Sequence, residues 1–71
     1  MTPAEVRAAR DAIGLTQKQL AAVMGLRGPA TVAEWEREAQ KPGSRKIGPT
    51  AARLLVAYVN GYRPEDWPKE G

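Results

Sequence analysis

Leu15-Thr16-Gln17-Lys18-Gln19-Leu20-Ala21-Ala22-Val23-Met24-Gly25-Leu26, followed by Thr31-Val32-Ala33-Glu34-Trp35-Glu36, is the stretch that decides the fold. Thr16 predicts a helix N-cap, and Gln19, three residues on, closes a capping box. Gly25 supplies a backbone able to leave that helix in the left-handed conformation, and Pro29 suits the first position of a second helix. Two short helices across a tight, glycine-containing turn form a helix-turn-helix, the arrangement that presents one helix to the major groove of DNA. Any small helical bundle can contain such a pair, so the residues on and around it must carry the reading further.

Working outward, the rest of the sequence offers further helices and no strand, which predicts an all-α chain of four or five helices. Thr2 as cap, Pro3 in the first turn and Glu5 three residues after the cap begin the first helix; Val6, Ala9 and Ile13 recur at helical spacing until Gly14 stops it. The second helix is expected near 16–24 with Leu20, Ala21, Val23 and Met24 inward, and the third near 29–39 with Val32, Trp35 and Ala39 on one side. Gly48-Pro49-Thr50 opens a fourth helix near 49–60 that stops at Asn60-Gly61. A tail over 61–71 offers one further turn of helix, with Trp67 as an anchor.

The pattern resembles the phage repressor and Cro type of helix-turn-helix protein, also called the xenobiotic-response-element-like family. The similarity rests on Arg7 and Arg10, on Gly14 to Ala21, on Gly25 and Leu26, and on Thr31 to Glu36, about half the chain in one contiguous order. One departure matters. The family places its buried Ile or Val six residues after the glycine, whereas Val32 lies seven after Gly25, so the turn Leu26-Arg27-Gly28-Pro29-Ala30 holds one extra residue. The resemblance implies a repressor-like DNA-binding domain whose helix-turn-helix spans about 16–39, with Glu34 and Ala30 where members read bases and Gln17 where members contact phosphate. It also implies a structural ion pair between Arg10 and Glu36.

Composition fits a single binding domain over 1–71. The chain has 71 residues, a net charge of +3, and neither Cys nor His. Disulfides are excluded, no thiolate or imidazole is present to hold a structural zinc, and the usual nucleophile–base pairs of hydrolases are missing. No catalytic residue, metal ligand or cofactor site is therefore assigned. A core this small is marginal alone, which leaves oligomerisation as the remaining staple. No leader pattern opens the sequence and no apolar run is long enough to cross a bilayer, so a prokaryotic cytoplasmic location with the nucleoid is expected.

Turning the third helix at 100° per residue with Val32 and Trp35 inward sends Ala30, Ala33, Glu34 and Arg37 outward, with Thr31 at the flank. Glu34 can accept from a cytosine amino group, the methyls of Ala30 and Ala33 can meet a thymine methyl, and Arg27 in the turn reaches toward a guanine edge or a phosphate. Arg27, Ala30, Thr31, Ala33 and Glu34 are thus the base-reading candidates. Phosphate candidates are Thr16, Gln17 and Lys18 at the start of the second helix, and Arg37, Lys41, Arg45 and Lys46, which form a basic connection beside the third. Glu34, Glu36 and Glu38 oppose this reading, since three carboxylates repel DNA unless they are paired or turned away.

The fourth helix carries two apolar stripes: Leu54, Leu55 and Tyr58 with Ala51 make one, and Ala52, Val56 and Val59 make another. A monomer needs only one. The second predicts a homodimer through Ala52, Val56, Val59, Tyr62 and Trp67; the alternative is a tail that folds back over its own subunit. A two-fold dimer would set two helices into successive major grooves of a palindromic or near-palindromic operator. The chain is thus read as a small dimeric repressor that binds double-stranded DNA, of phage or mobile-element type, acting by steric block, with its own gene among the expected targets. An antitoxin that clasps a toxin protein while repressing its operon is the alternative.

Overall fold

A computed structural model describes residues 1–68; the last three positions of the tail assigned above, 69–71, lie outside the described residues. Four helices and no strand are present among them: α1 Pro3–Ala12, α2 Gln17–Val23, α3 Ala30–Glu36 and α4 Pro49–Val59. The chain is all-α, as the sequence implies.

Local chemistry accounts for most of the boundaries. Thr2 caps α1 and Thr16 caps α2, each in a complete capping box with Glu5 or Gln19 returning to the cap's backbone N–H. Pro3 and Pro49 stand at the first turns of α1 and α4, where a missing N–H costs nothing. At the end of α2, Gly25 takes φ +78°; its N–H bonds to the Ala22 carbonyl at 3.2 Å, and the Leu26 N–H bonds to that of Ala21 at 2.8 Å. This pair of bonds is the Schellman closure that Gly25 predicts.

Two boundaries differ from the sequence reading. The third helix ends at Glu36, not near 39: Arg37 is extended, with ψ 141°, and Arg37, Glu38 and Ala39 are all exposed. Nothing in 37–39 supplies a left-handed glycine cap, and the chain instead turns back so that later residues satisfy the carbonyls of α3. Pro29 stands one position before the helix as its N-cap, without a side-chain bond. The tail makes a single turn closed by the Trp67 N–H on the Pro64 carbonyl at 3.0 Å, so no fifth helix forms among the described residues.

One core joins the four helices. Val6, Leu20, Val32, Leu55 and Tyr58 are fully buried, with Ala9, Ala21, Leu15, Val23, Trp35 and Ile47 around them. Each fully buried aliphatic side chain contributes about 1.5–3 kcal/mol. α1 lies against both α3 and α4, and α2 against α3. The inward faces of α3, Val32 and Trp35, are therefore committed, which leaves its opposite face outside the core.

Candidate nucleic-acid interface

The orientation of α3 is set at its last residue. The Glu36 carboxylate accepts two bonds from the Arg10 guanidinium, Nε to Oε2 at 2.6 Å and Nη2 to Oε1 at 3.0 Å, and a third from Gln17 Nε2 at 3.2 Å. Arg10 Nη1 also donates to the Leu15 carbonyl at 3.0 Å. Arg10 belongs to α1, Gln17 to α2 and Glu36 to α3, so one cluster ties all three helices together. Both charged side chains are nearly buried, 13% and 7% exposed. Burial alone would raise the Glu36 carboxyl; the bonds from Arg10 and Gln17 and the charges of Arg10 and Arg7 outweigh it and hold the group below the usual carboxylate range. The bond to Glu36 raises Arg10 further, against the opposing effect of burial.

On the outer side of α3, Ala30 is exposed and Thr31, Ala33 and Glu34 are half-buried. Arg27 is exposed in the turn that leads to them. Thr16 and Lys18 are exposed at the start of α2, whereas the Gln17 side chain is engaged by Glu36. Lys41, Arg45 and Lys46 are all exposed on the connection after α3. Arg45 is drawn to the outer side of α3: its N–H bonds to the Glu34 carbonyl at 3.1 Å and its Nε lies 3.7 Å from Glu34 Oε1.

The three carboxylates of the region are thus accounted for separately. Glu36 is neutralised by Arg10, Glu34 faces Arg45, and Glu38 has left the helix. What remains toward solvent is a short helical face of small side chains and one carboxylate, beside exposed cations. Such a surface can enter a groove closely and meet phosphates at its margin.

The structure places Arg37 elsewhere than the sequence rotation does. It stands beyond the helix, with Nη1 donating to the Pro42 carbonyl at 3.1 Å. Ser44, not singled out in the sequence, donates from Oγ to the Arg37 carbonyl at 3.1 Å. Its position after Gly43 gives it no helix or strand periodicity by which to be noticed.

The two stripes of α4 also separate. Leu55 and Tyr58 are buried, while Val56, Val59 and Tyr62 are exposed, 45%, 45% and 54%. Ala52 and Trp67 instead pack partly against the core of their own chain. The Trp67 ring meets Tyr58 edge-on, with centroids 5.2 Å apart, and lies under the Arg63 guanidinium at 4.2 Å. The tail therefore covers part of α4 but leaves Val56 and Val59 open.

The model of the family described as Helix-turn-helix matches residues 6–58, from Val6 in α1 to Tyr58 in α4. No curated protein and no solved structure matches the chain.

Proposed function

The chain belongs to the helix-turn-helix family of the xenobiotic-response-element-like type, whose members are DNA-binding transcription regulators, and from that premise we propose a small dimeric repressor of steric action. The observation that carries the reading is the anchored α3: Arg10, Gln17 and Glu36 fix its inner end while Ala30, Ala33 and Glu34 face outward beside exposed cations. Ala30, Thr31, Ala33 and Glu34, with Arg27, read base edges. Thr16, Lys18, Lys41, Arg45 and Lys46 meet phosphates, and the backbone N–H groups that open α2 assist them. With small side chains at 30 and 33, groove shape supplies part of the specificity.

Val56, Val59 and Tyr62 form the apolar strip through which two copies associate, setting paired α3 helices on a palindromic operator. A dimer of this size seated on a promoter blocks polymerase without any activating surface. Repression of its own gene, a phage or mobile-element setting and a place at the nucleoid complete this reading. The same exposed strip supports a second reading, an antitoxin whose α4 clasps a toxin protein; a partner that co-purifies with the chain and is lost on Val56→Glu distinguishes it.

Footprinting on the DNA upstream of the chain's own gene tests the main reading, together with sedimentation of Val56→Glu. Symmetric protection is expected from the parent chain. The variant should stay helical, sediment as a monomer and lose the gain of linked binding, about 10²–10⁴ in operator affinity. Protection of one asymmetric site by a monomer defeats the dimer.

A further inference from the structure

One cation of the basic connection, the exposed Arg37, folds back onto the connection itself. Arg37 Nη1 donates to the Pro42 carbonyl, and the Arg37 carbonyl accepts from Ser44 Oγ, both at 3.1 Å. Between those two partners Gly43 takes φ +81° and lies so close to the guanidinium that a Cβ there would run into Arg37 Nη1. The next residue, Arg45, returns its N–H to the Glu34 carbonyl of α3. The connection is thus closed on the last turn of α3 by contacts that run through backbone carbonyls.

We propose that Arg37 is a positioning residue and not a phosphate contact: it closes a clasp with Pro42, Gly43 and Ser44 that holds Lys41, Arg45 and Lys46 at a fixed offset from α3. The inference rests on DNA binding by the outer face of α3. Its consequence is a link between the two kinds of contact. Phosphate contacts set the register in which base edges are read. A connection whose backbone is ordered before binding keeps that register sharp and spares the cost of ordering it on association. A loose one would still attract DNA through its charge, but without holding α3 to one register.

Arg37→Ala, Gly43→Ala and the double variant test this in the full chain. Gly43→Ala removes no charge; it strains the backbone at φ +81° and crowds the Arg37 guanidinium, so the double variant decides whether its effect on DNA binding runs through the clasp. The probes are an operator duplex obtained by binding-site selection and a random duplex of equal length, titrated over a salt series. Exchange of the Arg45 and Ser44 amides in the free protein reports the clasp itself. For a positioning role, each single variant weakens operator binding about tenfold and random-duplex binding far less. The salt slope stays unchanged, the double variant is no worse than either single one, and Arg45 amide protection is lost in both.

A phosphate contact predicts the opposite pattern. Arg37→Ala would then lower the slope of log affinity against log salt by about 0.9 and weaken both duplexes alike. The double variant would lose more than either single one, and that pair of results overturns the proposal. So does an Arg45 amide that exchanges freely in the parent. If Arg37→Ala fails to fold, Arg37→Gln carries the same comparison, the two roles again differing in the salt slope. A parent chain that prefers no duplex removes the DNA reading and with it the role in register, while amide protection still reports whether the clasp exists.

Discussion

The helices α1, α2 and α4 end in one way and α3 in another. Each of the first three runs into a glycine with positive φ, Gly14, Gly25 or Gly61, and closes with two backbone bonds inside its own last turn. α3 has no such glycine. Its end is completed by residues distant in sequence: Arg10 and Gln17 on the Glu36 side chain, Arg45 on the Glu34 carbonyl and Ser44 on the Arg37 carbonyl. Three helices stop by local rules, then, while the helix assigned to DNA takes its direction from the rest of the molecule. An element that must present a face at a defined angle gains from being held at several points, since short helices owe their stability to tertiary contacts more than to propensity.

Removing the long-range support should cause the largest effect. Arg10→Met leaves the Glu36 carboxylate nearly buried with only Gln17 to meet it, and breaking a buried pair in this way costs roughly 3–5 kcal/mol. A domain of this size holds only about 5–15 kcal/mol in total, so chemical denaturation should show a much earlier midpoint. A loss below 1 kcal/mol would mean that the cluster does not hold α3.

The pH dependence should reverse between the parent and that variant. In the parent the Glu36 carboxyl is held below its unfolded value, so its contribution is present above the ordinary carboxylate pKa and is lost as acid takes the pH down through the folded value. In Arg10→Met the bonds and charge of Arg10 are gone, only Gln17 and the charge of Arg7 still oppose burial, and burial raises the group instead. Its penalty is then present near neutral pH and relieved by protonation. The deficit of the variant should therefore shrink between pH 7 and pH 3.5, and an equal deficit at both would show that Arg10 acts by packing alone.

A local end should cost less to disturb. Gly25→Ala forces a side chain into φ +78° at the Schellman closure of α2, although no atom lies within 4 Å of the added methyl. The expected loss is the left-handed penalty, about 1–2 kcal/mol, measured by the same denaturation. The difference between this value and that of Arg10→Met measures how far the third helix depends on contacts outside itself.

The same division explains what could be read in the sequence. Caps at Thr2 and Thr16, the glycine stops and the inward faces of α2 and α4 are local signals, and all of them hold in the structure. The pairing of Arg10 with Glu36 spans 26 positions and was legible only through the family resemblance. The sequence pattern carries α3 three residues too far because the cues that stop it, Ser44 and the Arg45 N–H, act through backbone carbonyls that no side-chain pattern marks. Trp67 was grouped with the open strip of α4, yet it turns inward, since Tyr58 and Arg63 give its ring an edge and a cation to meet.

The smallest expected effect has the opposite sign and lies in the same turn as Gly25. Gly28 has no atom within 4 Å of a built Cβ and, unlike Gly25, no positive φ, so alanine fits there without strain. Its effect falls on the unfolded chain, which loses conformational freedom, and Gly28→Ala should raise stability by about 0.4–1 kcal/mol. Two glycines three positions apart would then answer the same substitution in opposite directions. Gly28 also precedes Pro29, which caps α3 without a side-chain bond, so the front of the helix is held by less than its end. If the extra residue of this turn leaves that front loose, stiffening it at Gly28 should raise operator affinity along with stability, since less order is lost on binding. Greater stability with unchanged affinity would mean that the turn is already fixed before DNA is met, and a loss of stability would mean that residue 28 needs the freedom only glycine has.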